Sequence, residues 1–356
     1  MNELYIMASF ILRNSAIRGI ASAVPAATEG LDDLSRVFGK EEAQKIAQTT
    51  GVFSRHIARS DQCASDLCFH AALKLLEALD WDKDSIDVII FVSTTPDYYT
   101  PATSCVLQGR LEISKNCAAF DIPLGCSGYI YGLWNAASSI AAGGKRVLLM
   151  VGETSSKFAS PLDKSTMPLF GDAGTATAIE FEKDREMYFE LGTDGNGYKH
   201  LIVPAGGFRQ RHSAVTANRT IREGGNIRSD EEVFMNGAEI FTFILREVPA
   251  VLKKVLASAK WNIEDVDAFV LHQANRFINQ FLLKKMKLRP DRVPYSLEEF
   301  GNTSSASIPL TISHALRQLM QKEETRLVLC GFGVGLSWGA VALECGPLIM
   351  PEIGFV

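Results

Sequence analysis

The chain has 356 residues, 47% of them apolar and 22% charged, long enough to bury a full core in one large or two medium domains. That mixture excludes disorder, a coiled coil and a collagen-like repeat. Its 36 basic and 41 acidic residues leave a net charge of −5, which argues against a general binder of nucleic acid or anionic membrane, so any basic partner surface is local.

In chain order, the first feature is an apolar run from Tyr5 to Leu12. Glu3 precedes it and no Lys or Arg does, a poor secretory signal, so it reads as a leader ahead of the first strand. Leu67, Ala71, Leu75 and Leu79 then stand four apart, the buried face of an amphipathic helix. The run Val88 to Phe91 follows without polar alternation, as in a strand covered on both faces. Residues 122–144 carry no charge and are long enough to cross a bilayer, but Pro123, Asn135, Ser138, Ser139 and several glycines interrupt them. A strand end, a tight turn and a core helix explain this stretch better than a membrane span. Segment 205–230 is rich in Gly and Arg (Arg209, Arg211, Arg219, Arg222, Arg228) and reads as a long exposed loop of the kind that carries function. Val248, Leu252 and Leu256 mark a second helical face, ahead of a second apolar run, Ala268 to Leu271.

These helix–strand units are copies at a displacement of 180 residues, which carries Trp81 onto Trp261 and Asp87 onto Asp267. At the same displacement KRVLLMVGE from Lys145 meets TRLVLCGFG from Thr325. The expectation is a layered α/β chain of two similar halves, residues 1–185 and 186–356, packed about a pseudo-twofold axis with function at the seam.

The chemistry concentrates in four segments. In DIPLGCSGYIYG, Cys126 lies between a strand ending near Leu124 and an apolar helix. At a helix N-terminus the free N–H groups and the macrodipole favour thiolate, so a lowered pKa and a nucleophile are expected. Gly125 and Gly128 allow the tight turn. His272, in LHQANRF, ends the second buried strand and is expected to point into the seam. Asn302, in EFGNTSSAS, begins a polar turn before a helix at about residues 307–321, where an Asn also serves as an ordinary cap. CGFGVG carries Gly331, Gly333 and Gly335 after a strand with no Lys-Ser or Lys-Thr behind them, which disfavours a nucleotide loop and leaves N–H groups for an oxyanion. The seven cysteines form no CxxC pair and are odd in number, so neither a disulfide framework nor a zinc site is indicated and a reducing cytoplasm fits best. Cys63, Cys68, Cys105, Cys117 and Cys345 read as small buried hydrophobes, and Cys330 as structural.

Taken together, GCSGYIYG, HQAN, GNTS and GFGVG resemble the 3-ketoacyl-acyl-carrier-protein synthase III family of the thiolase superfamily, over nearly the whole chain. The resemblance implies a thiolase-like five-layer α-β-α-β-α fold of two duplicated halves, a homodimer, and acyl transfer without a metal or bound cofactor. It implies Cys126 as the acyl-accepting nucleophile, with His272 and Asn302 binding the thioester carbonyl of the second substrate. The backbone N–H groups of Cys126 and Val334 would form the oxyanion hole, with Val334 where the family usually has Gly.

Departures from the family pattern bear on the substrates. Lys45 and Thr49 stand where a Trp and an Arg commonly grip coenzyme A, Lys164 replaces a second Arg, and Phe277 takes the place of an Arg that is displaced to Arg276. Planar stacking on adenine is thereby lost. The donor is then an acyl-carrier protein bearing phosphopantetheine, or an acyl-coenzyme A held differently, with Asn275, Arg276 and Phe277 beside it. Lys284, Lys285 and Lys287, within a basic segment, are candidates for docking an acidic carrier. Thr100 occupies a position where a large aromatic commonly limits the acyl chain from across the dimer, so a longer or branched chain is expected. The leading reading is decarboxylative condensation of an acyl thioester with malonyl-acyl-carrier protein. Acyl transfer to an alcohol or amine, and a noncatalytic carrier-binding subunit, are the alternatives.

Overall fold

The computed structural model describes residues 7–356. Nine strands form one sheet: β1 (Ala8–Val24), β2 (Val88–Val92), β3 (Ala118–Ile122), β4 (Arg146–Glu153), β5 (Ala173–Thr193), β6 (Ala268–Leu271), β7 (Thr325–Gly333), β8 (Ser337–Cys345) and β9 (Gly354–Phe355). Their order is β6-β7-β8-β5-β4-β2-β3, with β1 beside β5 and β9 beside β1. β2, β3 and β4 are parallel, as are β6 and β7, whereas β5 runs antiparallel to β1, β4 and β8.

The helices that matter to the site are α1 (Ala64–Leu79), α2 (Gly128–Ala141), α3 (Gly237–Ala259), α4 (Arg276–Met286) and α5 (Ser307–Thr311). A π turn, Ile312–Leu316, and one more helical turn, Arg317–Met320, extend α5 over the length expected from sequence. Strand alternation sorts these helices into layers. Ile89, Phe91, Leu148 and Met150 face α1, while Ile90, Val92, Val147 and Leu149 face the other way, onto α2. In the second half Phe269, Leu271, Val328 and Cys330 face α3, and Val270, Leu327 and Leu329 face the core shared with α2 and Ile308 of α5. The result is helix, half-sheet, central helices, half-sheet, helix, which is why both copies of the apolar strand lack polar alternation.

The repeat is visible in detail. α1 and α3 both end on a left-handed residue, Asp80 and Lys260. Arg146 lies over the Trp81 ring at 4.7 Å, and Arg326 lies over Trp261 at 5.3 Å. The Asp87 carboxylate accepts from the Arg146 N–H at 3.0 Å, and Asp267 accepts from the Arg326 N–H at 2.8 Å. β5 serves both halves: Ala173–Glu180 pairs with β4 and Met187–Thr193 with β8. The exchange of partners lies between Glu180 and Met187.

Three expectations are adjusted. β1 begins at Ala8, and Ala8 to Leu12 pair with Leu191 to Met187, so these residues belong to the sheet and are not a leader; Tyr5 and Ile6 lie outside the described residues. Phe10 and Leu12 turn into the central core, as an alternating strand does. Of the cysteines read as buried, Cys68 and Cys345 are, but Cys105 is exposed on a short surface helix and Cys63 and Cys117 are half-buried. Segment 205–230 is largely exposed, yet three of its arginines are paired: Arg219 with Glu232, Arg222 with Asp230 and Arg228 with Asp163. Among the described residues no helix is long and apolar enough to cross a membrane.

α1 rests directly on β5 at Gly174, where an added Cβ would overlap the backbone of Leu67 and Cys68. Gly174→Ala is expected to cost about 1–3 kcal/mol by overpacking, read as a lower urea midpoint with an unchanged slope.

Candidate active site

The Cys126, His272 and Val334 segments leave the carboxyl ends of strands, where open α/β sheets place their ligand sites, whereas the Asn302 turn follows a short helix, Leu297–Phe300. β3 ends at Ile122, a turn closed by the Gly128 N–H donating to the Gly125 carbonyl leads into α2, and Cys126 sits inside that turn. β6 delivers His272, whose N–H donates to the Cys330 carbonyl at 2.8 Å. β7 delivers Val334. Asn302 follows Gly301 in a turn pinned against residues 169–171: its N–H donates to the Leu169 carbonyl and its own carbonyl accepts from Gly171.

The structure brings Cys126, His272 and Asn302 together through Ser304. Cys126 is 7% exposed, and its Sγ lies 3.9 Å from the Ser304 hydroxyl. The Ser304 N–H donates to Asn302 Oδ1 at 2.9 Å, which leaves the amide nitrogen of Asn302 with one long contact, 3.4 Å, to the Ala274 carbonyl. His272 is 1% exposed; a ring nitrogen is 2.7 Å from the Ser307 hydroxyl, and the Ser304 backbone lies near enough to favour the protonated ring. The N–H groups of Val334 and of Cys126 itself lie near enough to the sulfur to favour its ionised form. The Val334 side chain fits because residue 125 is glycine; a Cβ there would stand 2.7 Å from Val334 Cγ1.

The electrostatics correct the expected thiolate. Burial pushes the Cys126 thiol up, and the Val334 N–H, the Ser304 hydroxyl and its own N–H only partly offset this. Desolvation outweighs a few neutral donors when nothing cationic is near. Burial likewise pushes His272 down to about 3, so its ring is neutral. Cys330 and Cys345 are raised by burial too, Cys345 to about 12, as inert core thiols.

Cys126 opens onto a mostly apolar cavity of about 250 Å³, lined also by Thr94, Phe158, Phe170, Val203 and Val233. Its walls come from loops far apart in sequence and carry no motif, whereas Ser304 lies within the GNTSS segment and was readable only as turn polarity. Among the described residues, no group of acidic, His or Cys side chains is placed to hold a metal.

Two family models match the chain: 3-oxoacyl-[acyl-carrier-protein (ACP)] synthase III over residues 120–195, and the C-terminal part of the same synthase over residues 256–345. A beta-ketoacyl-[acyl-carrier-protein] synthase III of Symbiobacterium thermophilum is 35% identical over 338 residues, covering 94% of this chain and 99% of its own. The chain belongs to the 3-oxoacyl-acyl-carrier-protein synthase III family. Its fold is accordingly thiolase-like. The crystal structure of a 3-oxoacyl-(acyl-carrier protein) synthase from Burkholderia xenovorans superposes with a TM-score of 0.93 at 42% identity, covering 98% of this chain and 99% of that one. A synthase III from Pseudomonas aeruginosa does so with a TM-score of 0.82 at 30% identity, covering 95% and 100%.

None of the other expected contact residues lines the cavity. Thr100 is exposed and outside the cavity lining. Lys164 pairs with Glu42 at 3.5 Å, and Arg276 pairs with Glu298 while its guanidinium lies over Phe53. Asn275 caps α4, accepting from the Ile278 N–H at 2.8 Å. Phe277 is exposed beside Phe241, and Lys284, Lys285 and Lys287 are exposed on and just beyond the last turn of α4, Lys285 donating to the Leu245 carbonyl.

A neutral buried His272 has a stability consequence. Unfolded, it binds a proton below about pH 6.5; folded, only near pH 3, so between these values the unfolded state holds more protons and stability falls as pH falls. From pH 7.5 to pH 5 the parent should lose about 2 kcal/mol more than His272→Gln in urea unfolding.

Proposed function

We propose that the chain joins an acyl thioester to malonyl-acyl-carrier protein by decarboxylative condensation on Cys126. The observation that carries this is a buried thiol at the mouth of an apolar cavity, linked through Ser304 to Asn302 and with Val334 beside it in the cavity wall. The Cys126 sulfur attacks the thioester carbonyl, the new C–S bond forms, and the departing thiolate takes the thiol proton. The N–H groups of Cys126 and Val334 hold the intermediate oxyanion, and in a water-poor site such preorganised donors commonly lower the barrier more than any other single effect. Malonyl thioester then releases carbon dioxide. Its enolate oxygen is stabilised by His272 through a ring nitrogen and by the free amide hydrogen of Asn302, both uncharged donors. The enolate carbon attacks the acyl group, a C–C bond forms, the bond to Cys126 breaks, and the sulfur regains a proton from solvent, the one that loss of carbon dioxide from the malonyl carboxylate consumes overall.

We read the donor as carrier-borne. Lys164, at one of the family's coenzyme A positions, and Arg276, displaced by one residue from another, are already paired with Glu42 and Glu298, which leaves less charge for a nucleotide phosphate. Lys284 and Lys287 make no ion pair among the described residues and suit an acidic carrier surface. A homodimer fits the chain as well: β3 is a sheet edge with Phe120 36% exposed, and Asp121 of β3 caps the helix starting at Thr103, three residues beyond Thr100. The cytoplasm is the compartment in keeping with seven free cysteines.

Intact-protein mass after exposure to acyl-carrier-protein and acyl-coenzyme A thioesters should show an acyl adduct on the parent and none on Cys126→Ala. Asn302→Ala should load Cys126 within about twofold of the parent yet lower carbon dioxide release at least tenfold; equal loss in both steps would contradict the division of roles. Charge reversal at Lys284 and Lys287 should raise KM for the carrier substrate in low salt, with the difference shrinking as salt rises.

A further inference from the structure

Directly behind the Cys126 pocket lies a carboxylate that the reaction does not use. Glu153 ends β4, is fully buried, and makes no ion pair among the described residues. Removing a carboxylate from water without a cation costs several kcal/mol, so one retained here has work that an apolar side chain would not do.

Its hydrogen bonds show what that work is. One oxygen accepts from the Ser305 hydroxyl at 3.0 Å and the Thr94 N–H at 3.1 Å. The other accepts from the Thr94 hydroxyl at 2.8 Å and the Thr95 hydroxyl at 3.3 Å. Three segments are thereby tied at one point. Thr94 follows β2 and lines the cavity beside Cys126, its methyl packing towards Gly125. Ser305 belongs to the turn that carries Asn302 and Ser304, and through Ser304 that turn touches both Cys126 and His272. Glu153 itself is not among the residues lining the cavity.

We propose that Glu153 is a positioning residue for the condensing half of the reaction, holding the Asn302–Ser305 turn in register with the Cys126 loop through Ser305 and Thr94. Loading of Cys126 uses N–H groups on residues 126 and 334, which Glu153 does not touch. Decarboxylation uses Asn302, three residues from the hydroxyl that Glu153 holds. Ionised, the carboxylate only accepts; protonated, it must donate one hydrogen, and the surrounding hydroxyls can reverse to receive it. Burial pushes its carboxyl up to about 7. The titratable groups facing it are the thiols of Cys126 from the β3–α2 turn and Cys68 from α1, both raised by burial and uncharged near neutrality, with Asp97 beyond Cys68 also raised. Condensation in the parent therefore carries a pH limb near neutrality, rising with pH as the ionised form gathers all its donors.

This inference rests on the condensation reading. Single-turnover acyl loading and carbon dioxide release are measured between pH 6 and 8 on the parent, Glu153→Gln, Ser305→Ala and Ser305→Thr. The expected result is loading within about twofold throughout, release down at least tenfold in Glu153→Gln and Ser305→Ala, restoration in Ser305→Thr, and loss of the pH limb in Glu153→Gln. Parallel loss of both steps, or unchanged release in a folded Ser305→Ala, overturns the proposal. Should Glu153→Gln not fold, the Ser305 pair decides. A parent that loads nothing sinks the condensation reading instead, and a crystal structure of Ser305→Ala then decides the positioning claim by whether the Asn302 turn has moved away from Cys126.

Discussion

The burial of α2 between two half-sheets governs the site. A helix covered on two sides must be apolar on both, and Tyr129, Ile130, Leu133, Ala136 and Ala137 are all enclosed. Because both half-sheets pack onto the same central layer, the carboxyl ends of β2, β3, β4, β6 and β7 bring their loops to one place, at the N-terminus of α2. Cys126 reaches a buried position through this packing, and the packing also sets its charge state. The thiol that a helix N-terminus favours as thiolate is raised here because the layer excludes water.

On the proposed reading the site works with neutral groups. Cys126 rests as a thiol and His272 as an imidazole, and Asn302 carries no charge at all. Charge forms only during reaction, first on the acyl oxygen and then on the enolate. Hydrogen-bond donors that are already in place act most strongly on such charge where the surroundings cannot screen it. Glu153 is the exception, a group whose titration falls near neutrality within the same dry region, surrounded by hydroxyl and N–H donors that all serve its ionised state.

Formal charge lies at the rim, and much of it is compensated. Arg276 answers to Glu298, Lys164 to Glu42 and Arg289 to Asp291. Beside the exposed lysines of α4 stands an aromatic cluster, Phe241 with Phe277 at 5.3 Å and Phe281 at 5.6 Å.

Much of this was legible in the chain itself. The 180-residue displacement identified both helix–strand units, and Trp81, Trp261, Asp87 and Asp267 play matching parts because each copy solves the same local packing problem. HQAN, GNTS and the Cys126 turn were readable because strand ends, glycines and helix starts are local signals. The start of β1 was not, since an apolar run of that length looks the same as a leader until β5 pairs with it. The thiol's raised pKa, the cavity walls at Phe158, Phe170 and Val233, the bridge through Ser304 and the buried Glu153 were decided by tertiary structure alone. Each depends on which residues meet across the two halves and on how much water that meeting excludes, and neither quantity is a property of local sequence.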